Sequence, residues 1–480
     1  MRKLTNLALK VIKNLGAEYG DIRITRIETE NISVKNKKVE GINKKNWAGF
    51  GIRVLYKGYW GFASSSILEK KEIEKVAKLA VKIAKASGIL KHEPVTFEKL
   101  SPLKDSWKSP YKIDPFEISI KEKIDLLLDV SNELLKVKGI IIGHVSCQST
   151  KEEKIFASTE NRYFTQQTIQ TGAGLEAYAM KDGEVQKRSY PASFGGSFEN
   201  SGWEHVLSLK LKENAKPTAK EAIALLSAPQ CPSGVMDIIL EGSQLALQVH
   251  ESCGHPIELD RVFGTERSLA GTSFLTPDKL GKFQYGSKIV NITADATIKH
   301  SLGSFGYDDE GIPAQKTYIV KKGKFVGYLT SRETAVKLGM QSNGTMRADG
   351  FNRLPLIRMT SINLLPGKDT FNSLISGIKN GIYMAINKSW SIDDKRLNFQ
   401  FACEIGWVIK NGKLKHIVKN PNYTGITPEF WNNCDGISNK KDWRVWGVPN
   451  CGKGDPMQTA RVSHGVSRAR FRNVKVGVGK

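Results

Sequence analysis

Residues 234–258, "GVMDIILEGSQLALQVHESCGHPIE", join a strand pattern to a helix pattern that carries two histidines and a glutamate. The stretch 234–241 is rich in branched apolar residues, which is typical of a buried strand. Ser243 is a residue type that caps helices, so we expect a short helix from Ser243 to Gly254. The sequence therefore predicts a strand followed directly by a helix with potential metal ligands.

The spacing of the two histidines differs by one residue from the zinc-protease motif His-Glu-x-x-His. In that motif the imidazoles lie about 40° apart around the helix and face one metal ion. His250 and His255 are five positions apart, which is about 140° on a regular helix. Gly254 and Pro256 flank His255, and a residue before proline is disfavoured in helical backbone. We therefore expect the helix to break or bulge at Gly254, so that His255 turns back towards His250.

A catalytic zinc ion takes about three protein ligands and keeps one open position. Close to the two histidines, Cys253 and Glu258 are the candidates for a third ligand, although Glu258 could instead orient His255. Glu251 stands beside His250, where it would act as the general base that takes a proton from the attacking water. The motif alone leaves the third ligand open.

The rest of the chain predicts an α+β fold with an N-terminal α/β half of helices and antiparallel strands and a C-terminal β-rich domain carrying the short metal-binding helix. We expect an α/β domain over 1–90, a linker over 91–116, a middle α/β region over 117–228 and a catalytic domain over 229–480. Four dipeptides predict hairpin turns, namely Lys57-Gly58, Asp182-Gly183, Lys322-Gly323 and Asn411-Gly412. The stretch "PQCPSG" at 229–234, which is rich in turn-forming residues, marks the boundary between the middle region and the catalytic domain.

Composition argues against a secreted disulfide-rich protein, a membrane protein and a nucleic-acid-binding protein. The 480 residues contain six scattered cysteines, unlike a secreted disulfide framework. No stretch has the apolar length of a membrane span, so we expect a cytoplasmic chain without a membrane partner. The net charge of +24 comes from lysines spread along the whole sequence. They indicate solvated helix faces more than a nucleic-acid partner, although their field could attract acidic peptides.

Several motifs together resemble one family. "HESCGHPIE" looks like the His-Glu-x-x-x-His signature of the TldD/PmbA metallopeptidases, in their active TldD-type branch. Three later stretches are also similar to this family: "DDEGIPAQKTYIVKKGKFVGYLTSRETAVKLG", "SNGTMRADG" and "NCGKGDPMQTARVSHGVSRARFRNVKVGVG". The resemblance covers most of 230–480 and, in outline, the N-terminal half.

The resemblance implies a ligand set and a function. Its third metal ligand is a cysteine near the C-terminus, which falls on Cys451, beside His250 and His255. The implied enzyme is a zinc peptidase with one Zn²⁺ per active subunit, acting on unfolded proteins or small peptides as a homodimer or as a heterodimer with a PmbA-like paralogue. The alternative is a basic binding or regulatory protein, for nucleic acid or a protein partner, whose metal is purely structural. A closed site with Glu258 as fourth ligand would favour that alternative.

Overall fold

The computed structural model describes residues 1–89, 93–268 and 271–477. Its N-terminal part contains, in chain order, α1 (Arg2–Asn14), β1 (Tyr19–Lys35), β2 (Lys38–Tyr56), β3 (Tyr59–Ser65), α2 (Lys70–Ser87), β4 (Leu103–Lys108), α3 (Ile120–Leu135), β5 (Ile140–Ser158), β6 (Arg162–Lys181), β7 (Glu184–Tyr190), β8 (Ser197–Glu199), α4 (Trp203–Ser208) and α5 (Leu211–Ser227).

The strands of this part form one sheet in the order β3-β2-β1-β5-β6-β4, with β7 and β8 also paired to β6. β1 pairs antiparallel with β5 from Asp21 to Lys35. The sheet therefore runs through both predicted N-terminal units. Helices α1 and α2 cover one apolar cluster on it, and α3 and α5 cover another.

The C-terminal part contains β9 (Gly234–Leu240), α6 (Gly242–Val249), α7 (Leu259–Val262), β10 (Ile292–Asp295), β11 (Lys316–Lys321), β12 (Lys324–Phe325), α8 (Arg332–Lys337), β13 (Met346–Arg347), β14 (Leu356–Ile357), β15 (Ile362–Leu364), α9 (Phe371–Ser376), β16 (Asn380–Ile392), β17 (Asn398–Lys410), β18 (Lys413–Val418), β19 (Asn422–Ile426), α10 (Thr427–Asn432), β20 (Cys434–Ile437), β21 (Arg444–Lys453), β22 (Gln458–Val466) and β23 (Ala469–Val476).

These strands form a large sheet in the order β16-β9-β23-β19-β17-β18, with β20 paired to β23. A smaller sheet, β12-β11-β10-β15, and the two-stranded ribbon β21–β22 contribute side chains to the same apolar core. Helix α6 is buried along nearly its whole length, because it lies between β16 and the ribbon. The mixture of helices and mostly antiparallel strands confirms the α+β class. No helix of the described ranges is long and apolar enough to cross a membrane.

The four predicted hairpin turns are present, and their first residues, Lys57, Asp182, Lys322 and Asn411, all have a φ between 48° and 50°. Two details differ from the sequence predictions. The predicted linker contains β4, which pairs in parallel with β6 as a lysine-bearing edge strand and therefore resembles a loop in composition. Helix α6 is capped by Glu241, whose carboxylate accepts from the backbone N–H of Ser243, so Ser243 lies inside the helix. Residues 90–92, where the predicted linker starts, lie outside the described residues.

Buried ion pairs hold the two halves together. Arg53 of β2 donates to Asp21 of β1 at 2.8 Å and to Glu310 of the C-terminal half at 2.9 Å. Arg332 of α8 contacts Glu160 between β5 and β6 at 2.6 Å. All of these side chains except that of Glu160 are almost completely buried. Buried ion pairs thus link the half that carries the histidines to the N-terminal sheet.

Replacing Arg53 with alanine should strip two buried carboxylates of their cation. Breaking a buried pair from one side costs about 3–5 kcal/mol, so we expect a clearly lower free energy of unfolding in denaturant titration. Lys212→Ala, which removes a solvent-exposed pair with Asp129, is the matched control and should leave the curve unchanged. Equal curves for the two variants would contradict a stabilising role of the Arg53 contacts.

Candidate metal centre

The extra residue between the two histidines is absorbed by one wide helical turn. After α6 the chain continues as a π turn over His250–Gly254 and a 3₁₀ turn over His255–Ile257. The backbone N–H of His255 donates to the carbonyl oxygen of His250, an i+5→i bond that replaces the usual i+4→i bond. The two imidazole rings consequently stand with their centroids 4.8 Å apart.

Of the two predicted alternatives, a break or a bulge at Gly254, the structure shows the bulge, because the π turn ends at Gly254 and the helical backbone continues through it. Gly254 (φ −63°, ψ −56°) and His255 (φ −68°, ψ −41°) both keep helical backbone. Proline only disfavours that conformation in the preceding residue, and Pro256 itself occupies the start of the 3₁₀ turn, where a missing N–H costs little. Gly254 serves close packing instead, since a Cβ there would lie 2.1 Å from Sδ of Met359.

Cys451 reaches the histidines from β21. Its Sγ lies 3.7 Å from Nε2 of His255, although the two residues are 196 positions apart. The donor atoms of His250, His255 and Cys451 lie within 4.8 Å of one another, and all three residues are buried. Cys253 belongs to the apolar core, where burial raises the pKa of its thiol to about 12. Cys403 and Cys434 belong to the same core.

The hydrogen bonds of His250 determine which of its ring nitrogens keeps a lone pair. Nδ1 of His464 lies 3.1 Å from the carbonyl oxygen of Ile362, which can only accept, so this nitrogen carries a proton. In the neutral ring Nε2 of His464 is then the acceptor for Nδ1–H of His250, at 2.8 Å. Burial lowers the pKa of both rings, which favours these neutral forms. The lone pair of His250 is therefore on Nε2, free to bind a metal.

His255 is oriented in the same sense by Glu258. Its Nδ1 donates to Oε2 of Glu258 at 3.0 Å, which leaves the lone pair on Nε2. Lys453, two residues after Cys451, approaches Glu258 at 3.5 Å and Asp260 at 2.7 Å. Burial lowers the pKa of His255 well below its ordinary value, so this ring is neutral as well. Glu258 thus orients a candidate ligand, which was one of its two predicted roles.

The Cys451 thiol has the electrostatics of a metal ligand. Burial by itself would raise the pKa of this thiol, whereas the positive charge of Arg358 and, whenever the ring is protonated, that of His255 bring the pKa below the ordinary value. Arg358 also donates to the carbonyl oxygens of Cys451 and Gln458, so it fixes the ribbon at this point. A thiolate is the form that binds metals.

Glu251, the predicted base, follows His250 in the π turn and is buried. Its Oε2 accepts from Nη1 of Arg396 at 2.6 Å. Arg396 lies on the loop between β16 and β17. The sequence offers no reason to assign a role to Arg396, His464 or Lys453, because no local pattern marks them. The one available signal was that His464 and Lys453 belong to the same C-terminal stretch as Cys451.

Two neutral imidazoles and a low-pKa thiol form a donor set that suits zinc in type and number, and a carboxylate stands beside them. A donor set of this kind is typical of metal-dependent hydrolases. Family models agree along the chain: the PmbA/TldA metallopeptidase domain 1 matches residues 20–84, the central domain 113–228 and the C-terminal domain 233–478. The chain belongs to the PmbA/TldA family and is a metallopeptidase.

Individual relatives support this assignment. A metalloprotease of Methanocaldococcus jannaschii is 31% identical over 91% of this chain and 92% of its own length. A protein of Saccharolobus solfataricus named zinc metalloprotease TldD homolog is 25% identical over 98% of both chains. The crystal structure of TldE from Thermococcus kodakarensis has the same fold, with a TM-score of 0.74 over the full length of both chains at 17% identity.

Replacing His464 with leucine should weaken metal binding without touching a candidate ligand. Loss of such an orienting partner typically lowers metal affinity about 10–100-fold, and zinc competition against a chelator would measure it. His416→Leu removes an exposed histidine on β18 and is the control. Unchanged zinc affinity in His464→Leu would show that His250 needs no orientation by its neighbour.

Proposed function

We propose that the chain is a zinc-dependent peptidase of the TldD type that cleaves unfolded proteins or small peptides, with one zinc ion per active subunit. His250, His255 and Cys451 would hold the ion and Glu251 would be the general base. The observation that carries the proposal is the convergence of these three buried donors beside a carboxylate. When bound, zinc supplies a Lewis acid that acidifies water and polarises a peptide carbonyl.

The residues of the chain then divide the remaining work. Glu251 takes the proton of the attacking water and later returns it to the leaving amine. His464 and Glu258 keep the lone pairs of His250 and His255 on Nε2. Because Oε2 of Glu258 is engaged by His255 and Lys453, we assign this residue to orienting His255, which goes with an open three-donor site.

The surroundings suit an extended peptide. A cavity of about 680 Å³ lies between the N-terminal sheet and the β21–β22 ribbon. In the described part of the chain β21 pairs with β22 alone, so its other edge has no strand partner beside Cys451. A substrate strand added there would be held by its backbone, which gives affinity with little sequence preference. Alternate side chains would enter the cavity, which is lined by polar uncharged side chains of the sheet such as Asn31, Asn43 and Gln148.

A second subunit belongs to the proposal. The fold of this chain is that of TldE from Thermococcus kodakarensis, and the chain carries the His-Glu-x-x-x-His motif. We therefore assign it as the active member of a homodimer or of a pair with a PmbA-like paralogue, working in the cytoplasm.

Glu251→Gln should separate metal binding from catalysis. The amide cannot take a proton, so zinc content should stay at the wild-type level while hydrolysis of casein or a fluorogenic peptide is lost. Glu429→Gln, an exposed substitution on α10, is the matched control and should behave as wild type. Wild-type cleavage rates in Glu251→Gln would refute its assignment as the base.

Cys451→Ser should lose the metal. A neutral hydroxyl replaces a thiolate, and the remaining two imidazoles bind zinc weakly. Metal analysis after dialysis should find zinc in the wild type and in Cys231→Ser, a cysteine outside the site, but little in Cys451→Ser. Full zinc occupancy in Cys451→Ser would mean that the third ligand is another residue.

A further inference from the structure

Arg396 is fixed beside the reaction centre by its own loop. Its backbone has a φ of 63°, a left-handed conformation that few side chains favour. The loop holds it there: its N–H donates to the carbonyl oxygen of Asp393 at 2.8 Å, and its carbonyl oxygen accepts from the Thr427 hydroxyl at 2.9 Å. The backbone of Arg396 is thus held in place by two hydrogen bonds, and its guanidinium lies against Glu251.

The guanidinium of Arg396 does not use all of its N–H groups in hydrogen bonds. Nη1 donates to Glu251, whereas Nε is buried and has no hydrogen-bond partner among the described residues. Only 16% of the side chain is exposed. A buried N–H without an acceptor is costly, so this group calls for a partner such as a water molecule or a bound ligand.

We propose that Arg396 is a catalytic residue that donates to the carbonyl oxygen of the scissile peptide bond. This inference rests on the proposed function and names a contact that its ligands and base do not include. An arginine fork suits the task, because one N–H can hold Glu251 while others reach the substrate oxygen.

Charge movement during the reaction makes this contact stronger in the transition state. When the water oxygen bonds to the carbonyl carbon, the π pair moves to the carbonyl oxygen and the water proton moves to Glu251. Glu251 thereby stops neutralising Arg396 at the moment when the oxygen becomes negative. When the pair returns, the C–N bond breaks and the amine takes the proton from Glu251. Arg396 keeps all its protons and stabilises the oxyanion, which lowers the barrier.

The test uses Arg396→Gly, because glycine adopts a φ of 63° without strain, and Arg396→Lys, which keeps the charge but loses the fork. Lys395→Gln removes an exposed charge from the same loop and is the control. The substrate is an internally quenched peptide, acetylated and amidated at its ends, and each protein is assayed for kcat, KM and zinc content, with and without millimolar guanidinium chloride.

We expect kcat of Arg396→Gly to fall about 100–1,000-fold, as for loss of one oxyanion donor, with KM changed little and zinc retained. Arg396→Lys should lie between this variant and wild type. Guanidinium should restore part of the rate of Arg396→Gly and should not accelerate the wild type or Lys395→Gln.

Four results would overturn the inference. The first three are a kcat of Arg396→Gly close to wild type, a lower kcat with no response to guanidinium, and loss of zinc. The fourth needs the same peptide with a free C-terminal carboxylate: a defect confined to that peptide would make Arg396 a terminus-binding residue. If the wild type itself fails to cleave any peptide, the proposed function falls and the inference falls with it. An active wild type with an equally active Arg396→Gly removes the inference alone.

Discussion

The hydrogen bond from the N–H of His255 to the carbonyl oxygen of His250 is the constraint on which the centre depends. A regular helix would close its turn one residue earlier and point the two imidazoles in different directions. The π turn keeps the helix hydrogen-bonded while it widens by one residue, so five positions bring the rings onto one side. Gly254 contributes by letting Met359 pack against the turn, where a side chain would clash. The π turn is thus what allows two histidines five residues apart to lie on the same side of the helix.

The second half of the centre depends on docking the β21–β22 ribbon against that turn. Cys451 and Lys453 are two residues apart on β21, and their side chains lie on the same face of the strand. Sγ of Cys451 approaches Nε2 of His255, and Nζ of Lys453 approaches Glu258, which accepts from Nδ1–H of the same histidine. Arg358 fixes the ribbon by donating to the carbonyl oxygen of Cys451. The site therefore forms only when the C-terminal half has folded as a whole, unlike a metal site built within one helix.

The sequence predicted local features well and long-range ones poorly. Dipeptides such as Lys57-Gly58 and Asn411-Gly412 predict their hairpins, because two residues with positive φ suffice to define the turn. The strand and the helix around His250 were also predicted from local patterns, namely the branched apolar run of 234–241 and a residue type that caps helices. By contrast, β4 resembles a loop because an edge strand exposes its lysines, and His464 and Arg396 reach the centre by tertiary packing that no local pattern records. Cys451 was predicted through a family resemblance, because the motif by itself offered only Cys253, which one rigid turn disfavours as a third ligand, and Glu258.

Charge pairing is consistent with the proposal that two imidazoles and one thiolate bind the metal. Oε2 of Glu251 is paired with Arg396, and Oε2 of Glu258 is shared by Lys453 and His255, so each carboxylate has a cationic neighbour. The cation nearest to Cys451, Arg358, uses two of its N–H groups on backbone carbonyls, and it can favour the thiolate without sequestering Sγ in an ion pair. A donor set with one negative charge would leave a bound dication with net positive charge, which is what polarising a carbonyl requires. If Glu258 were a ligand, that charge would be cancelled; its engagement by Lys453 thus favours catalysis over tight structural binding.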